Sequence, residues 1–149
     1  EYGMNTKFIE LAGEINSSMP NYVISKVIEA FNSKEKALRN SKILIIGISY
    51  KKNIDDLRES PAIEIIKLLL QKGCKVSFHD PLIFDFPSSL ENIQINKINK
   101  LSSKDISFHD ASLIITDHDD IDYQLILKNS KLIIDTRGRF KIGTNVFRA

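Results

Sequence analysis

Apolar side chains recur at intervals of three and four residues over residues 6–32, which is the period of an α-helix. At about 1.5 Å per residue, such a helix would be roughly 40 Å long. Pro20 lies inside the pattern and removes the hydrogen bond to the Asn16 carbonyl, so a kink or break is predicted there. A helix this long cannot bury its apolar stripe against itself, so we expect another domain or subunit to cover it. The stripe comprises Phe8, Leu11, Ala12, Ile15, Met19, Tyr22, Val23, Val27, Ala30 and Phe31.

The pattern changes after this helix. Residues 33–41 are polar and lack periodicity, which is typical of a linker. The apolar run "KILIIG" then predicts a buried strand, and "CKVSFHDP" predicts a second one. Between them, Ser60 and Pro61 form a typical helix N-cap and first turn, and Gly73 fits a C-terminal cap. The apolar stripe expected on this helix is Ile63, Ile66, Leu69 and Leu70.

The remaining runs extend the same alternation of strands and helices. "ASLIITD" and "KLIIDT" predict two more buried strands, and "DIDYQLILKN" predicts a short helix between them. Residues 82–110 indicate loops, with a short helix or an edge strand. Strands that alternate with helices form parallel pairs with right-handed crossovers. We therefore predict an α/β fold, a Rossmann-like doubly wound parallel sheet over residues 42–149, preceded by the long helix.

Composition and charge narrow the choice of partner and compartment. The chain has 149 residues, and its formal net charge of +2 gives no reason to expect a nucleic-acid partner. No apolar run approaches the roughly 20 residues of a membrane span, so no membrane contact is expected. The single cysteine, Cys74, excludes an intrachain disulfide and fits the reducing cytoplasm. The chain starts with Glu1 and no signal peptide, so a fragment of a longer protein is expected.

Polar segments follow three of the predicted strands, at residues 49–59, 116–118 and 135–137. Ligands of open parallel sheets collect at the carboxyl ends of the strands, so we expect the three segments to meet there. The first segment lacks the G-x-G-x-x-G pattern that cradles a dinucleotide. It offers cations for a phosphate instead, which are Lys51, Lys52 and Arg58. The spacing leaves open a phosphate-binding loop and a solvated turn compensated by Asp55, Asp56 and Glu59.

Other chemically active side chains have simpler interpretations. Cys74 opens a strand, which favours a small core residue over a nucleophile. His118 stands among acidic residues without a recognised metal-ligand spacing, so a polar turn is expected and no metal site is predicted. His79 and His109 are interpreted as strand-end or loop residues. Arg137 either binds a ligand or forms a structural pair with the neighbouring Asp135.

A long segment, "GISYKKNIDDLRESPAIEIIKLLLQKGCKVSFHDP", resembles the C-terminal domain of the UDP-glucose/GDP-mannose dehydrogenase family. That domain has a strand, then G-x-x-Y/F-K, an acidic stretch, R-E-S-P or R-E-S-S, a helix, a glycine and a strand ending in D-P. All these elements occur here in order and at matching spacing. "TDH", "IDTRG" and the final "NVFRA" are similar to the family's later segments. Residues 6–30 are similar to the last helix of its central domain, so the resemblance spans essentially the whole chain.

The resemblance implies part of an NAD-dependent enzyme that oxidises the C6 alcohol of a nucleotide-sugar to a carboxylate through a cysteine thiohemiacetal. Residues 1–32 would be the last helix of its central domain, residues 33–41 a linker, and residues 42–149 the UDP-sugar-binding domain. The NAD-binding loop and the catalytic cysteine motif of the family are missing from this sequence. The resemblance therefore implies no catalytic residue in this chain, with NAD bound mainly by an N-terminal domain.

Site residues carry over only where the motifs match. The resemblance implies that Tyr50 and Lys51 contact the UDP portion of the substrate, and that Arg58 reaches toward NAD across the cleft between domains. Arg137 matches an arginine that helps to bind the substrate nucleotide, with Arg139 as the alternative.

The "EINSSMP" segment is similar to the branch that uses UDP-N-acetylhexosamines, so the resemblance implies a UDP-N-acetylhexosamine 6-dehydrogenase of polysaccharide biosynthesis. Family members dimerise through the central domain, which implies a homodimer built on the apolar stripe of the long helix. Two alternatives stay open, a UDP-glucose 6-dehydrogenase and a non-catalytic nucleotide-binding or dimerisation module.

Overall fold

The computed structural model describes residues 2–84, 86, 93 and 95–149. In this part of the chain, strands alternate with helices, and the strands form one parallel sheet. The helices are α1 (Tyr2–Ser33), α2 (Pro61–Gln71), α3 (Ser103–Phe108) and α4 (Tyr123–Asn129). The strands are β1 (Lys42–Ile46), β2 (Lys75–His79), β3 (Asn96–Lys97), β4 (Ala111–Ile114), β5 (Ile133–Asp135) and β6 (Val146–Arg148). Their order, β3-β2-β1-β4-β5-β6, is that of a Rossmann-like doubly wound sheet, so the predicted fold class is confirmed.

Helix α1 consists of a buried half and an exposed half. It continues through Pro20 without interruption, so the predicted break does not occur. After Pro20, residues such as Val27 are fully buried against the sheet. Before Pro20, the predicted stripe is uncovered, with Phe8 at 69% and Ile15 at 52% exposure. No helix in the described ranges combines the length and apolar content that a membrane span requires.

Side chains of β1 alternate between two hydrophobic clusters, one on each face of the sheet. Ile43 and Ile45 pack in the cluster that contains the buried half of α1 and the inner face of α2. Leu44 and Ile46 pack in the opposite cluster, with residues of α3 and α4. Because both faces of the sheet are covered, β1 is apolar at nearly every position rather than at every second one.

Helix α2 begins and ends as predicted. The Ser60 hydroxyl accepts a hydrogen bond from the Ala62 amide at 3.2 Å, and Pro61 occupies the first turn. At the other end, Gly73 has a φ of +84°, and its amide donates to the Leu70 carbonyl at 3.0 Å. Glycine adopts this left-handed conformation without strain, which explains its position after the helix.

The predicted stripe of α2 is confirmed at Ile66, Leu69 and Leu70, of which Leu70 is half-buried against the core. Ile63 is only half-buried, whereas Ile65, which the prediction left out, is fully buried. The buried face follows the spacing of one helical surface more closely than the predicted set. Its members are Ala62, Ile65, Ile66 and Leu69.

Removal of the Ser60 cap is expected to destabilise the domain. The hydroxyl also donates to the Ile48 carbonyl at 2.6 Å, so Ser60→Ala leaves two backbone groups without a partner. We expect a loss of about 1–2 kcal/mol in the free energy of unfolding, measured by urea denaturation. Ser107→Ala, on the exposed surface of α3, is the matched control and should change stability by less than about 0.5 kcal/mol. An equal effect of the two substitutions would contradict the capping role.

The short elements of the fold were only partly predicted. Within residues 82–110, where loops with a short helix or an edge strand were predicted, the structure has the edge strand β3 and the short helix α3; part of this stretch lies outside the described residues. β6 was not predicted, and it adds an edge to the sheet by pairing with β5. With three residues, β6 is too short for apolar periodicity to indicate it.

Candidate functional site

The polar segments that follow β1, β4 and β5 meet at one edge of the sheet, as predicted. β1 and β4 are neighbours, and the helices that follow them pack on opposite faces. Their carboxyl ends therefore form the switch point at which open α/β sheets bind ligands. The Thr116 hydroxyl donates to the Ser49 carbonyl at 2.7 Å. The Arg137 Nε donates to the Ile115 carbonyl at 2.7 Å, so the three segments form one continuous surface.

Gly47 allows the first loop to leave β1 in close contact with the end of β4. Its φ is +76°, in the left-handed region that favours glycine. An added Cβ would overlap the Thr116 carbonyl oxygen and lie 2.7 Å from the carbonyl carbon. The glycine of this loop is therefore required for packing between two strand ends.

The Asp80 carboxylate organises the start of the first loop. Asp80 follows β2, and its buried Oδ2 accepts hydrogen bonds from the amides of Ile48 at 2.8 Å and Ser49 at 3.1 Å. The same oxygen accepts a third hydrogen bond, from Nε2 of His118 at 3.0 Å. Oδ1 accepts from the Leu82 amide at 2.9 Å. Burial raises the pKa of this carboxyl, but the hydrogen bonds together lower it by more, so the pKa lies below its ordinary value.

The sequence indicated a polar turn at His118, and the structure corrects this, because the side chain is completely buried. Its Nδ1 accepts a hydrogen bond from the Asn53 amide at 2.8 Å. Its Nε2 contacts both the Asp80 carboxylate and the Ser49 hydroxyl, the latter at 2.8 Å. Ser49, Asp80 and His118 follow β1, β2 and β4, which are neighbours in the sheet, but this strand order was not predicted from the sequence. We name these three residues, together with the Asn53 amide, the strand-end cluster.

Two cations of the first loop are neutralised by carboxylates. Arg58 donates to Asp56 through Nε at 3.1 Å and Nη2 at 3.0 Å, although its side chain remains 89% exposed. The hydrogen bonds from Arg58 lower the pKa of Asp56. Lys52 pairs with Asp119 at 2.9 Å. For these two residues, the interpretation as a compensated surface turn describes the contacts well.

Lys51 differs from the other cations of the loop. Its Nζ lies 5.2 Å from the centroid of the Tyr50 ring. Within the described ranges, it forms no ion pair with a carboxylate. An exposed ammonium group without a counter-ion is available to an anionic ligand.

Arg137 and Arg139 have different surroundings. Asp135 accepts the backbone amide of Arg137 at 3.0 Å, and the side chain donates elsewhere, so the alternative of a structural Arg–Asp pair is wrong. Arg139 lies over the Tyr123 ring, 4.2 Å from its centroid, and faces Asp117 at 3.7 Å. Both guanidinium groups therefore make a contact within the protein, Arg139 with Tyr123 and Asp117, and Arg137 with the Ile115 carbonyl.

Two cavities adjoin this edge of the sheet. The nucleotide-side cavity, as we name it, has a volume of about 510 Å³ and is lined by Tyr50, Lys51, Lys52, Ile54, Asp117 and Arg137. The helix-side cavity, of about 570 Å³, lies between α1 and the sheet edge, with Asn16, Ser17 and Thr136 in its wall. Tyr50 and Arg137 line both cavities, so the two are adjacent.

Other reactive side chains have structural roles. Cys74 is buried, and burial raises the pKa of its thiol to about 11, so its interpretation as a core residue is confirmed. His79 donates to the Ile98 carbonyl at 2.8 Å, and His109 lies 2.6 Å from the Asp105 carbonyl. Among the described residues, no group of three or more His, Cys, Asp or Glu is placed to hold a metal ion.

The sequence of the sheet domain identifies its family. Residues 44–142 match the model of the UDP-glucose/GDP-mannose dehydrogenase family, UDP binding domain. The chain belongs to this family. The match begins inside β1 and includes the first loop, the strand-end cluster and the linings that the sheet contributes to both cavities.

Relatives within the UDP-glucose/GDP-mannose dehydrogenase family align with most of the chain. A UDP-N-acetyl-D-mannosamine dehydrogenase of Methanococcus maripaludis is 36% identical over 144 residues, with 89% of this chain and 30% of that protein aligned. An NDP-N-acetyl-D-galactosaminuronic acid dehydrogenase of Ralstonia solanacearum is 34% identical, covering 90% and 30%. The structure of a UDP-D-ManNAc dehydrogenase from Pyrococcus horikoshii has a TM-score of 0.71 at 26% identity, covering 94% and 32%. The chain therefore spans about a third of the length of these relatives.

Proposed function

We propose that this chain binds the nucleotide of a UDP-sugar at the nucleotide-side cavity. The observation that carries the proposal is the cavity itself, in which Tyr50, Lys51 and Arg137 line the carboxyl edge of a domain of the UDP-binding family. The loop has no glycine-rich cradle, so side-chain cations have to neutralise a diphosphate. Lys51 would act as a point charge and Arg137 as a fork with two donors. Arg137 lines both cavities and Arg139 lines neither, which favours Arg137 over Arg139 for this role.

The proposed reaction is the NAD-dependent oxidation of the C6 alcohol of a UDP-N-acetylhexosamine to the uronic acid, carried out by the full-length enzyme. The names of the relatives from Methanococcus maripaludis and Ralstonia solanacearum support an N-acetylated sugar. UDP-glucose is the alternative substrate, and it is tested by comparing the two nucleotide-sugars in the same binding measurement. The reducing cytoplasm is the proposed compartment, which the single cysteine fits.

This chain's proposed contribution to NAD is small. NAD supplies the hydride acceptor when bound, but the sequence contains no G-x-G-x-x-G loop to hold its pyrophosphate. Arg58 is the residue proposed to face NAD, since its guanidinium is exposed and it is not among the residues that line the nucleotide-side cavity. The chain by itself is therefore proposed to bind the substrate nucleotide without catalysing its oxidation.

Lys51→Ala is expected to weaken UDP binding about tenfold, because a hydrogen-bonded charge on the diphosphate is lost. Isothermal titration calorimetry with UDP measures the change. Lys67→Ala, an exposed lysine on α2, is the matched control and should leave the affinity unchanged. Uridine lacks the diphosphate, so its binding should not respond to Lys51→Ala. Equal UDP affinity of wild type and Lys51→Ala would remove Lys51 from the site.

We also propose a homodimer that buries the exposed half of α1. The uncovered stripe there includes Phe8, Leu11 and Ile15, each more than half exposed at 69%, 52% and 52%. Apolar surface of this extent on a helix is typical of an interaction face.

Phe8→Asp is expected to convert a dimer into a monomer, because an interface that excludes water does not accommodate an unpaired carboxylate. Sedimentation equilibrium across a range of protein concentrations measures the mass. Asn21→Asp adds the same charge at an exposed polar position of α1 and should leave the dimer intact. A wild-type chain that stays monomeric at the highest concentration would refute the proposal.

A further inference from the structure

His118 is a buried titratable residue that the proposed site does not itself use. It lies behind the first loop, and both of its ring nitrogens are occupied. Nδ1 receives the Asn53 amide at 2.8 Å, and Nε2 lies within 3.0 Å of Asp80 and 2.8 Å of the Ser49 hydroxyl. Tyr50, Lys51 and Lys52 line the nucleotide-side cavity. They lie between Ser49 and Asn53, which both contact the His118 ring.

The contacts determine which nitrogen carries the proton. A backbone amide can only donate, so Nδ1 must accept from Asn53 and carries no hydrogen. The proton of the neutral ring is therefore on Nε2, where the Asp80 carboxylate and the Ser49 oxygen accept it. The Ser49 hydroxyl is then free to donate to the Lys51 carbonyl at 3.0 Å. One ring connects the ends of β1, β2 and β4 to the backbone of Lys51.

Lys51 depends on this backbone for its position. Its ammonium group has no carboxylate partner among the described residues, so no side-chain contact fixes it from outside the loop. His118 instead contacts the residues on either side of this segment, namely the hydroxyl of Ser49 and the backbone amide of Asn53. Tyr50 is attached to the same short segment. His118 therefore contributes to the placement of these two side chains, together with the hydrogen bond from the Tyr50 amide to the Asp56 carbonyl at 2.6 Å.

We infer that His118 is a positioning residue for nucleotide binding, acting through the Nδ1–Asn53 hydrogen bond that holds the loop carrying Tyr50 and Lys51. The inference rests on the proposed function, because it concerns how the same site is aligned. It adds a residue that does not line either cavity. It also explains the need for an imidazole, since a rigid ring presents an acceptor to Asn53 and a donor to Asp80 at the same time.

Two amide variants separate the two ends of the ring. His118→Asn places an amide oxygen near the position of Nδ1, so it can still accept from Asn53. His118→Gln extends its amide group toward the position of Nε2. It can therefore donate a hydrogen bond to the Asp80 carboxylate, but it leaves the Asn53 amide without an acceptor. Both variants remove the ring, so the general loss of packing is similar in the two.

Amide hydrogen exchange tests the loop without any ligand. In His118→Gln, we expect the Asn53 amide to exchange about tenfold faster than in wild type, and in His118→Asn by less than about threefold. The Ile115 amide, which donates to the Ile46 carbonyl at 3.0 Å, reports global unfolding and should respond alike in both variants. Equal protection of Asn53 in wild type and His118→Gln overturns the inference.

A double-mutant cycle with UDP tests whether the loop's position matters for binding. If His118 aligns Lys51, then Lys51→Ala should weaken UDP binding about tenfold in wild type and in His118→Asn, but less than about twofold in His118→Gln. A purely structural role for His118 would leave the Lys51 effect at its full size in His118→Gln, which overturns the inference. If wild type binds no UDP, the proposed function fails, and the exchange experiment alone decides whether His118 holds the loop.

Discussion

Gly47→Ala is expected to destabilise the domain by about 3 kcal/mol or more, through backbone strain and overlap together. The residue adopts a φ of +76°, and a Cβ there would lie 2.7 Å from the Thr116 carbonyl carbon. Backbone atoms of a central strand end cannot move aside without opening the sheet between β1 and β4. Urea denaturation monitored by circular dichroism should show a lower midpoint with an unchanged m-value.

Gly138→Ala separates strain from overlap. Gly138 has a similar φ, +71°, but its nearest contact would be the end of the Arg148 side chain at 3.7 Å. We expect a loss of about 1–2 kcal/mol there, from the left-handed backbone alone. If both glycine substitutions gave the same loss, the close approach of Gly47 to Thr116 would not contribute.

Asp80→Asn is expected to lower the free energy of unfolding by about 2–3 kcal/mol at pH 7. An amide in place of the carboxylate has one acceptor oxygen. If that oxygen faces Ile48, Ser49 and His118, the NH₂ group faces the Leu82 amide, so two donors oppose each other. In the reverse orientation the NH₂ group faces three donors instead of one. Chemical denaturation measures the loss. Asp120→Asn, at an exposed position, is the control and should be nearly neutral.

The same substitution should change the response to acid. The hydrogen bonds of the folded state lower the pKa of Asp80, so the unfolded chain takes up this proton more readily. The carboxylate therefore contributes stability above the unfolded pKa of about 3.9, and the contribution is lost as the pH falls through the lower folded pKa. Wild type should lose stability more steeply than Asp80→Asn below about pH 4. Parallel curves for the two proteins would show that Asp80 does not contribute to acid unfolding.

The central part of the fold was predictable because its physical cause is local in sequence. β1, β2, β4 and β5 are covered on at least one face by helices, so their runs are apolar, β-branched and bounded by turn residues. The α2 cap was predictable for the same reason, since Ser60 and Pro61 act on adjacent residues. The bounds of β3 and the existence of β6 could not be predicted, because two or three residues show no period.

The site was predictable in location but not in detail. Strand ends of a parallel sheet meet at one edge whatever the side chains are, so the pattern placed the loop around Lys51 at that edge but left open a phosphate-binding loop and a solvated turn. The contacts of His118 depend on strand order, because Ser49 and Asp80 are 69 and 38 residues away from it in the chain. The sequence also could not show which cations form ion pairs, because the partner of Lys52 is Asp119 rather than a carboxylate of its own loop.

Because helix α1 is uninterrupted, it constrains the position of any body that docks on its exposed half. Its last turns are embedded in the core beneath β1, and its first turns extend past the edge where Tyr50 and Arg137 lie. A continuous helix resists bending, whereas a linker of the same length would not. It therefore acts as a spacer of set length and direction. The number of turns in α1 therefore sets how far such a body stands from the loop that carries Lys51.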